Sequence, residues 1–234
     1  MVSDITGAVI GAAFKGTRDF GYGAIRAMRN LGFWLMLSTG AAYAETVTIV
    51  ALGDSLTQGY GLPSDQGFVP QLEAWLQANG ADVTIINAGV SGDTTSGGLS
   101  RVGWTLTPDV DVMILALGGN DFLRGIDPAV SRANLRGILQ AAQAQDVPVL
   151  LVGLEATNNY GPAFKAAFDG MFPDLATEFG AILFPTFFQG IIQAGGDMRA
   201  EYFQPDGIHP NAEGVRLDVA AIGPAVLDLI QLVR

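Results

Sequence analysis

Residues 47–59, VTIVALGDSLTQG, decide how the rest of the chain is read. A β-branched, apolar run stops at Gly53-Asp54-Ser55, the pattern of a buried strand that empties into a tight turn with a hydroxyl at its carboxyl end. Open parallel α/β sheets bind their ligands at that end.

Working outward, Phe68, Val69, Leu72, Trp75 and Leu76 recur at helical spacing, and Asn79-Gly80 is a stop signal. Val83 to Ile86 reads as a second buried strand that ends in the turn Asn87 to Asp93, with Asp93 and Thr94 as caps of a helix running towards Trp104. Val110 to Leu117 is a third strand, closed by Gly118-Gly119-Asn120-Asp121. A helix follows over Pro128 to Gln143, with Pro in its first turn, and Val147 to Leu154 is a fourth strand. Glu155 to Pro162 is a polar loop. Ala163 to Phe179 is helical in pattern, and Gly170 and Pro173 are expected to break it in two. Ala181 to Phe184 gives a fifth strand, Phe187 to Ile192 a small apolar helix, and Asn211 to Leu232 a last helix kinked at Pro224.

Strands alternating with helices predict an α/β fold: three layers, a five-stranded, mainly parallel sheet of flavodoxin-like type, and helices on both faces. No repeat or linker interrupts residues 45–234, so these form one domain.

Residues 1–44 differ. Leu31 to Ala42 is an apolar run preceded by Arg26 and Arg29 and followed by Ala42-Tyr43-Ala44, the shape of a secretory signal with an A-x-A cleavage site. The run is shorter than the roughly 18 to 20 residues that span a bilayer, so cleavage after Ala44 is favoured over a membrane anchor. Met1 to Ala27 is a Gly-rich lead that such a signal does not need, which makes Met28 a candidate start. An exported domain without stable membrane insertion is expected.

The full chain of 234 residues has 12 Lys and Arg against 23 Asp and Glu, a net charge of −11. Without residues 1–44 the balance is eight against twenty-one, or −13, because Lys15, Arg18, Arg26, Arg29, Asp4 and Asp19 go with them. That charge disfavours nucleic acid and anionic membrane as main partners. The sequence has no cysteine and one histidine, which excludes disulfides, thiolate nucleophiles and the usual zinc clusters. No cofactor and no metal are expected.

The single histidine, His209, lies three residues after Asp206 in a loop stiffened by Pro205 and Pro210, and Gly207 permits a tight backbone path between them. A serine needs a base to take its proton, and the base needs a third group to fix its tautomer. Ser55, His209 and Asp206 supply those three types. The developing oxyanion needs donors, and the Ser55 N–H, the Gly92 N–H and the Asn120 side-chain amide lie at strand ends. Taken singly, a Ser after Gly-Asp is an ordinary turn or cap, and Asp54, Asp93 and Asp121 read as turn or cap formers.

Four stretches in order, GDSLTQGYG from Gly53, GVSGDTTSGG from Gly89, GGND from Gly118 and DGIHPN from Asp206, resemble the four sequence blocks of the GDSL or SGNH hydrolase family. The resemblance spans Thr46 to Arg234. It implies a Ser55 nucleophile, an oxyanion hole from Ser55, Gly92 and Asn120, and a triad completed by Asp206 and His209. ALGGND, NYGPAF near Asn159 and PTFF at Pro185 resemble most the periplasmic thioesterase, lysophospholipase and arylesterase branch. The implied activity is hydrolysis of small-molecule esters or thioesters by a monomer. A carbohydrate O-acetylesterase and a noncatalytic binding module stand as alternatives, and a nucleotide-binding protein is disfavoured because G-x-G-x-x-G and a P-loop lysine are missing. The chain also lacks the G-x-S-x-G elbow of α/β-hydrolases. Phe122, Leu123 and Ile126 either line an acyl groove or pack the sheet rim, with Tyr160 and Ile208 as further candidate walls.

Overall fold

The computed structural model describes residues 46–195 and 201–234. The signal segment and the candidate start at Met28 lie outside the described residues. In chain order the elements are β1 (Val47–Gly53), α1 (Ser55–Gln58), α2 (Phe68–Ala78), β2 (Val83–Gly89), α3 (Thr95–Thr105), β3 (Val112–Ala116), α4 (Gly119–Leu123), α5 (Pro128–Gln143), β4 (Val149–Val152), a 3₁₀ turn (Asn158–Tyr160), α6 (Pro162–Phe179), β5 (Ile182–Phe184), α7 (Gln189–Gln193) and α8 (Ala212–Gln231).

The sheet order is β2-β1-β3-β4-β5, and every pairing is parallel. From β1 the chain crosses to one side to make β2 and to the other to make β3, so strand order reverses around β1. Such a reversal opens a crevice at the carboxyl ends of the strands. The register levels those ends, because Gly53 lies opposite both Gly89 and Ala116.

Side chains alternate across a strand, so β1 serves two cores. Ile49 and Ala51 face α2 and α8, where Phe68, Leu72, Val219, Ile222 and Val226 are buried. Val50 and Leu52 face the opposite layer, with Val102, Leu135, Ile138, Phe168, Met171 and Leu175 from α3, α5 and α6. Both layers exclude water from the sheet, at roughly 1.5 to 3 kcal/mol for each large apolar side chain fully buried.

Two expectations are corrected. β2 is not a buried strand: as an edge strand it alternates buried and exposed positions, leaves Ile86 38% exposed, and continues through Asn87 and Ala88 to Gly89. The expected five-stranded parallel sheet is present, with all of its five strands parallel. Neither Gly170 nor Pro173 breaks α6, which runs unbroken over 18 residues. Its buried face of Phe168, Met171, Phe172 and Leu175 spans both residues, and that packing outweighs the local cost of the proline, about 3 kcal/mol in an isolated helix.

Candidate active site

Ser55 does not sit in a loose turn. It is the first residue of the one-turn helix α1, and Asp54 caps that helix by accepting the Leu56 N–H at 3.0 Å. The helix starts so close to the sheet because two glycines leave room. A side chain at Gly53 would strike Thr57, and one at Gly89 would strike the backbone of Gln58.

The loop that carries His209 is folded by its own residues. Phe203 and Pro210 form an isolated antiparallel bridge, and Gly207 closes a turn by donating to the Gln204 carbonyl at a φ of 67°. Asp206 works with both oxygens. Oδ1 accepts the Ile208 and His209 N–H groups at 2.9 and 3.0 Å, and Oδ2 lies 2.7 Å from His209 Nδ1. These bonds, the His209 N–H foremost, hold the carboxyl down at about 2, so it is a carboxylate and Nδ1 carries the proton. His209 Nε2 is thereby an acceptor, 2.8 Å from Ser55 Oγ. The Gln204 amide ties the loop across the site by donating to the Tyr60 carbonyl at 2.8 Å, and the Tyr60 ring packs on the imidazole at a centroid distance of 4.7 Å.

Opposite the histidine stand two further strand ends. After β2, the Asp93 N–H donates to the Val90 carbonyl, and Gly92, with a φ of 80°, takes the turn position that favours glycine. After β3, Asn120 lies in the first turn of α4 and donates through Nδ2 to Asp54 Oδ2 at 3.3 Å. Asp54 thus links the serine's helix to the asparagine's side chain, and its burial pushes its carboxyl up to about 6. Asp121 anchors α4 from below: it accepts the Thr95 N–H, the Thr95 hydroxyl at 2.6 Å and the Ser131 hydroxyl at 2.9 Å, all in buried surroundings.

Ser55, Gly92, Asn120 and His209 line one cleft of about 380 Å³. Of the candidate walls, Phe122, Leu123 and Ile208 line it. Ile126 and Tyr160 do not: Tyr160 stands behind the cleft, edge-on to Phe122, with its hydroxyl donating to the Leu123 carbonyl at 3.3 Å. The sequence reading missed Leu56, Tyr60, Leu154, Phe168 and Phe188, which complete an apolar lining. Leu154 was within reach, because it follows a strand on the rim where ligands bind. Phe168 and Phe188 come from helix packing and carry no local signal. Among the described residues, no group of three or more His, Cys, Asp and Glu is placed to hold a metal.

A hydroxyl, a neutral imidazole and a carboxylate in series allow a serine to be deprotonated as it attacks an acyl carbon. Known proteins agree with that chemistry. The sequence profile of the GDSL-like lipase/acylhydrolase family matches residues 51–217. Esterase TesA of Pseudomonas aeruginosa is 38% identical over 177 residues, 75% of this chain and 85% of that protein. An arylesterase of Vibrio mimicus is 33% identical over 189 residues, 80% of this chain and 91% of that one. Among solved structures, AlinE4, an SGNH-hydrolase family esterase, is 43% identical with a TM-score of 0.65, covering 79% of this chain and 96% of its own. The crystal structure of TesA is 35% identical with a TM-score of 0.71, covering 78% and 99%. With its fold, its four sequence motifs and these relatives in agreement, the chain belongs to the GDSL-like lipase/acylhydrolase family.

Proposed function

We propose that the protein is a serine esterase, acting on carboxylic esters and thioesters with an apolar acyl or aryl part through an acyl-Ser55 intermediate. The observation that carries this reading is the unbroken series Ser55 Oγ, His209 ring, Asp206 carboxylate, at 2.8 and 2.7 Å. His209 Nε2 takes the Ser55 proton as Oγ bonds to the acyl carbon, and returns it to the leaving alcohol or thiol when the tetrahedral intermediate collapses. Water then repeats the sequence and releases the acid. The Ser55 N–H, Gly92 N–H and Asn120 Nδ2 donate to the oxyanion. Asp206 fixes the tautomer and stabilises the imidazolium. One loop and three strand ends supply these groups, and no cofactor is needed for the steps.

The cleft lining favours an apolar acyl group over a sugar. Leu56, Phe122, Leu123, Leu154, Phe168 and Phe188 offer it little but hydrocarbon. Among the described residues no helix is long and apolar enough to cross a membrane. The signal-like segment before Glu45 supports an exported enzyme, in the periplasm or outside, acting on small molecules.

A substrate panel tests the reading: p-nitrophenyl esters from acetyl to long-chain acyl, an acyl thioester, a lysophospholipid and acetylated sugars. The expected profile is turnover of the aryl and acyl esters and thioesters, with kcat/KM rising as the acyl chain lengthens to fill the cleft. A preference for acetylated sugars by tenfold or more would move the assignment to carbohydrate deacetylation.

A further inference from the structure

Arg101 is assigned no part in the chemistry above, yet its guanidinium meets the backbone of two strand ends. On α3, Nε donates to Asp93 Oδ2 at 2.8 Å, Nη1 to the Ala88 carbonyl at 2.7 Å and Nη2 to the Gly53 carbonyl at 2.9 Å. Gly53 precedes Asp54-Ser55, Ala88 is the penultimate residue of β2, and Asp93 closes the turn that holds Gly92. The Gly53 carbonyl also accepts the Val90 N–H, at the start of that turn. One planar fork therefore joins the backbone that aims the Ser55 N–H to both ends of the segment that aims the Gly92 N–H. The side chains of the ion pair are mostly buried, at 21% and 11% exposure. Arginine is suited to this because its donors are fixed in a plane and always charged.

The sequence makes room for the fork. Asp93, Gly97 and Arg101 fall four residues apart along one face of the helix and its lead-in, and a side chain at Gly97 would strike the Asp93 carboxylate. The remaining side of the site is closed by two other tethers. Arg124, just past α4, donates to the Gly92 carbonyl at 2.8 Å, and Asp54 accepts from Asn120. Ser55, Gly92 and Asn120 are thus held in a closed ring of three links, of which the Arg101 link is the one with three bonds.

We propose that Arg101 is a positioning residue for the oxyanion hole, setting the Gly92 N–H against the Ser55 N–H without touching the substrate. The inference rests on Ser55 being the nucleophile and Gly92 a donor. Displacing a donor by about 1 Å costs up to roughly 10² in rate with little effect on ground-state binding.

The test is Arg101→Lys and Arg101→Met on the full chain, with kcat, KM and unfolding midpoint measured beside Ser55→Ala and Arg136→Met. Arg136 also makes a two-pronged ion pair, with Glu178 at 2.7 Å for both bonds, but away from the cleft. The expected result is a kcat reduced about 30- to 100-fold in Arg101→Lys, KM within about threefold, and Arg136→Met unchanged. Labelling of Ser55 by a fluorophosphonate should slow in parallel with kcat. If Arg101→Met does not fold, Arg101→Lys decides, since it keeps a cation beside Asp93 and loses only the fork. A kcat within threefold of the parent, or a loss that merely tracks the folded fraction, overturns the role of Arg101. Full activity in Ser55→Ala would instead overturn the reading of the site itself, so the two failures are distinct.

Discussion

The His209 loop and the Ser55–Gly92–Asn120 rim face each other across one cleft but are built by opposite routes. The loop is local. Asp206 reaches His209 through three residues of backbone and three hydrogen bonds of its own, with 36% of its side chain exposed. The rim is assembled from three strand ends that are 37 and 28 residues apart along the sequence, and its order comes from parallel register, buried carboxylates and arginine tethers. In the proposed mechanism the loop supplies proton transfer, which needs one hydrogen bond of correct length. The rim in that mechanism supplies several donors that must converge on one point, which demands a stiff scaffold.

If that division holds, the largest loss comes from the loop. His209→Ala removes the only base, and kcat should fall by on the order of 10⁴-fold or more with the fold intact, as read by steady-state ester hydrolysis and circular dichroism. A His209→Ala enzyme within tenfold of the parent would break the comparison at its first term.

The rim should cost less per residue because it shares its task. Asn120→Ala removes one donor of three, and kcat should drop by about 10² to 10³, or roughly 3 to 4 kcal/mol, with KM little changed. Equal losses in Asn120→Ala and His209→Ala would mean that the two sides do not divide the work as described.

The smallest effect concerns a carboxyl outside the cleft and sharpens the contrast with Asp206. Asp218, buried in α8, accepts the Gly190 and Ile191 N–H groups through Oδ1 at 3.0 and 3.1 Å, while Oδ2 has no hydrogen-bond partner among the described residues. Burial pushes it up to about 7. A carboxyl raised on folding contributes stability that is present below its unfolded value near 4 and is lost as pH rises through about 7. Asp206 is lowered to about 2, so its contribution is present above the unfolded value and is lost only as pH falls towards 2. Asp218→Asn should therefore flatten the decline of the unfolding midpoint between pH 4 and pH 8 and leave kcat unchanged. Parallel midpoint curves for parent and variant would contradict the assignment.

How much of this was legible in the sequence follows the same division. The five strands and their order of appearance showed in apolar runs ending at Gly-rich polar turns, and the Asp206–His209 pair showed because three residues of spacing nearly fix its geometry. The family resemblance then placed Gly92 and Asn120. The tethers were not legible. Asp54, Asp93 and Asp121 read as caps, and Asp54 is one, but they also bond to Asn120, Arg101, and Thr95 with Ser131, side-chain pairings that come from how the elements pack and not from a local signal. Tyr160 was misread as a wall for a related reason: its distance from the cleft depends on how Phe122 packs between them. Pro173 misled because local propensity says nothing of the buried face that spans it.

Covalent chemistry at one oxygen, Ser55 Oγ, is the step on which the proposed esterase depends. Intact-mass analysis and peptide mapping after exposure to a fluorophosphonate should show a single adduct on Ser55, absent in Ser55→Ala, whose ester turnover should fall to background while its unfolding midpoint stays near that of the parent. An adduct elsewhere, or substantial ester hydrolysis by Ser55→Ala, would contradict it.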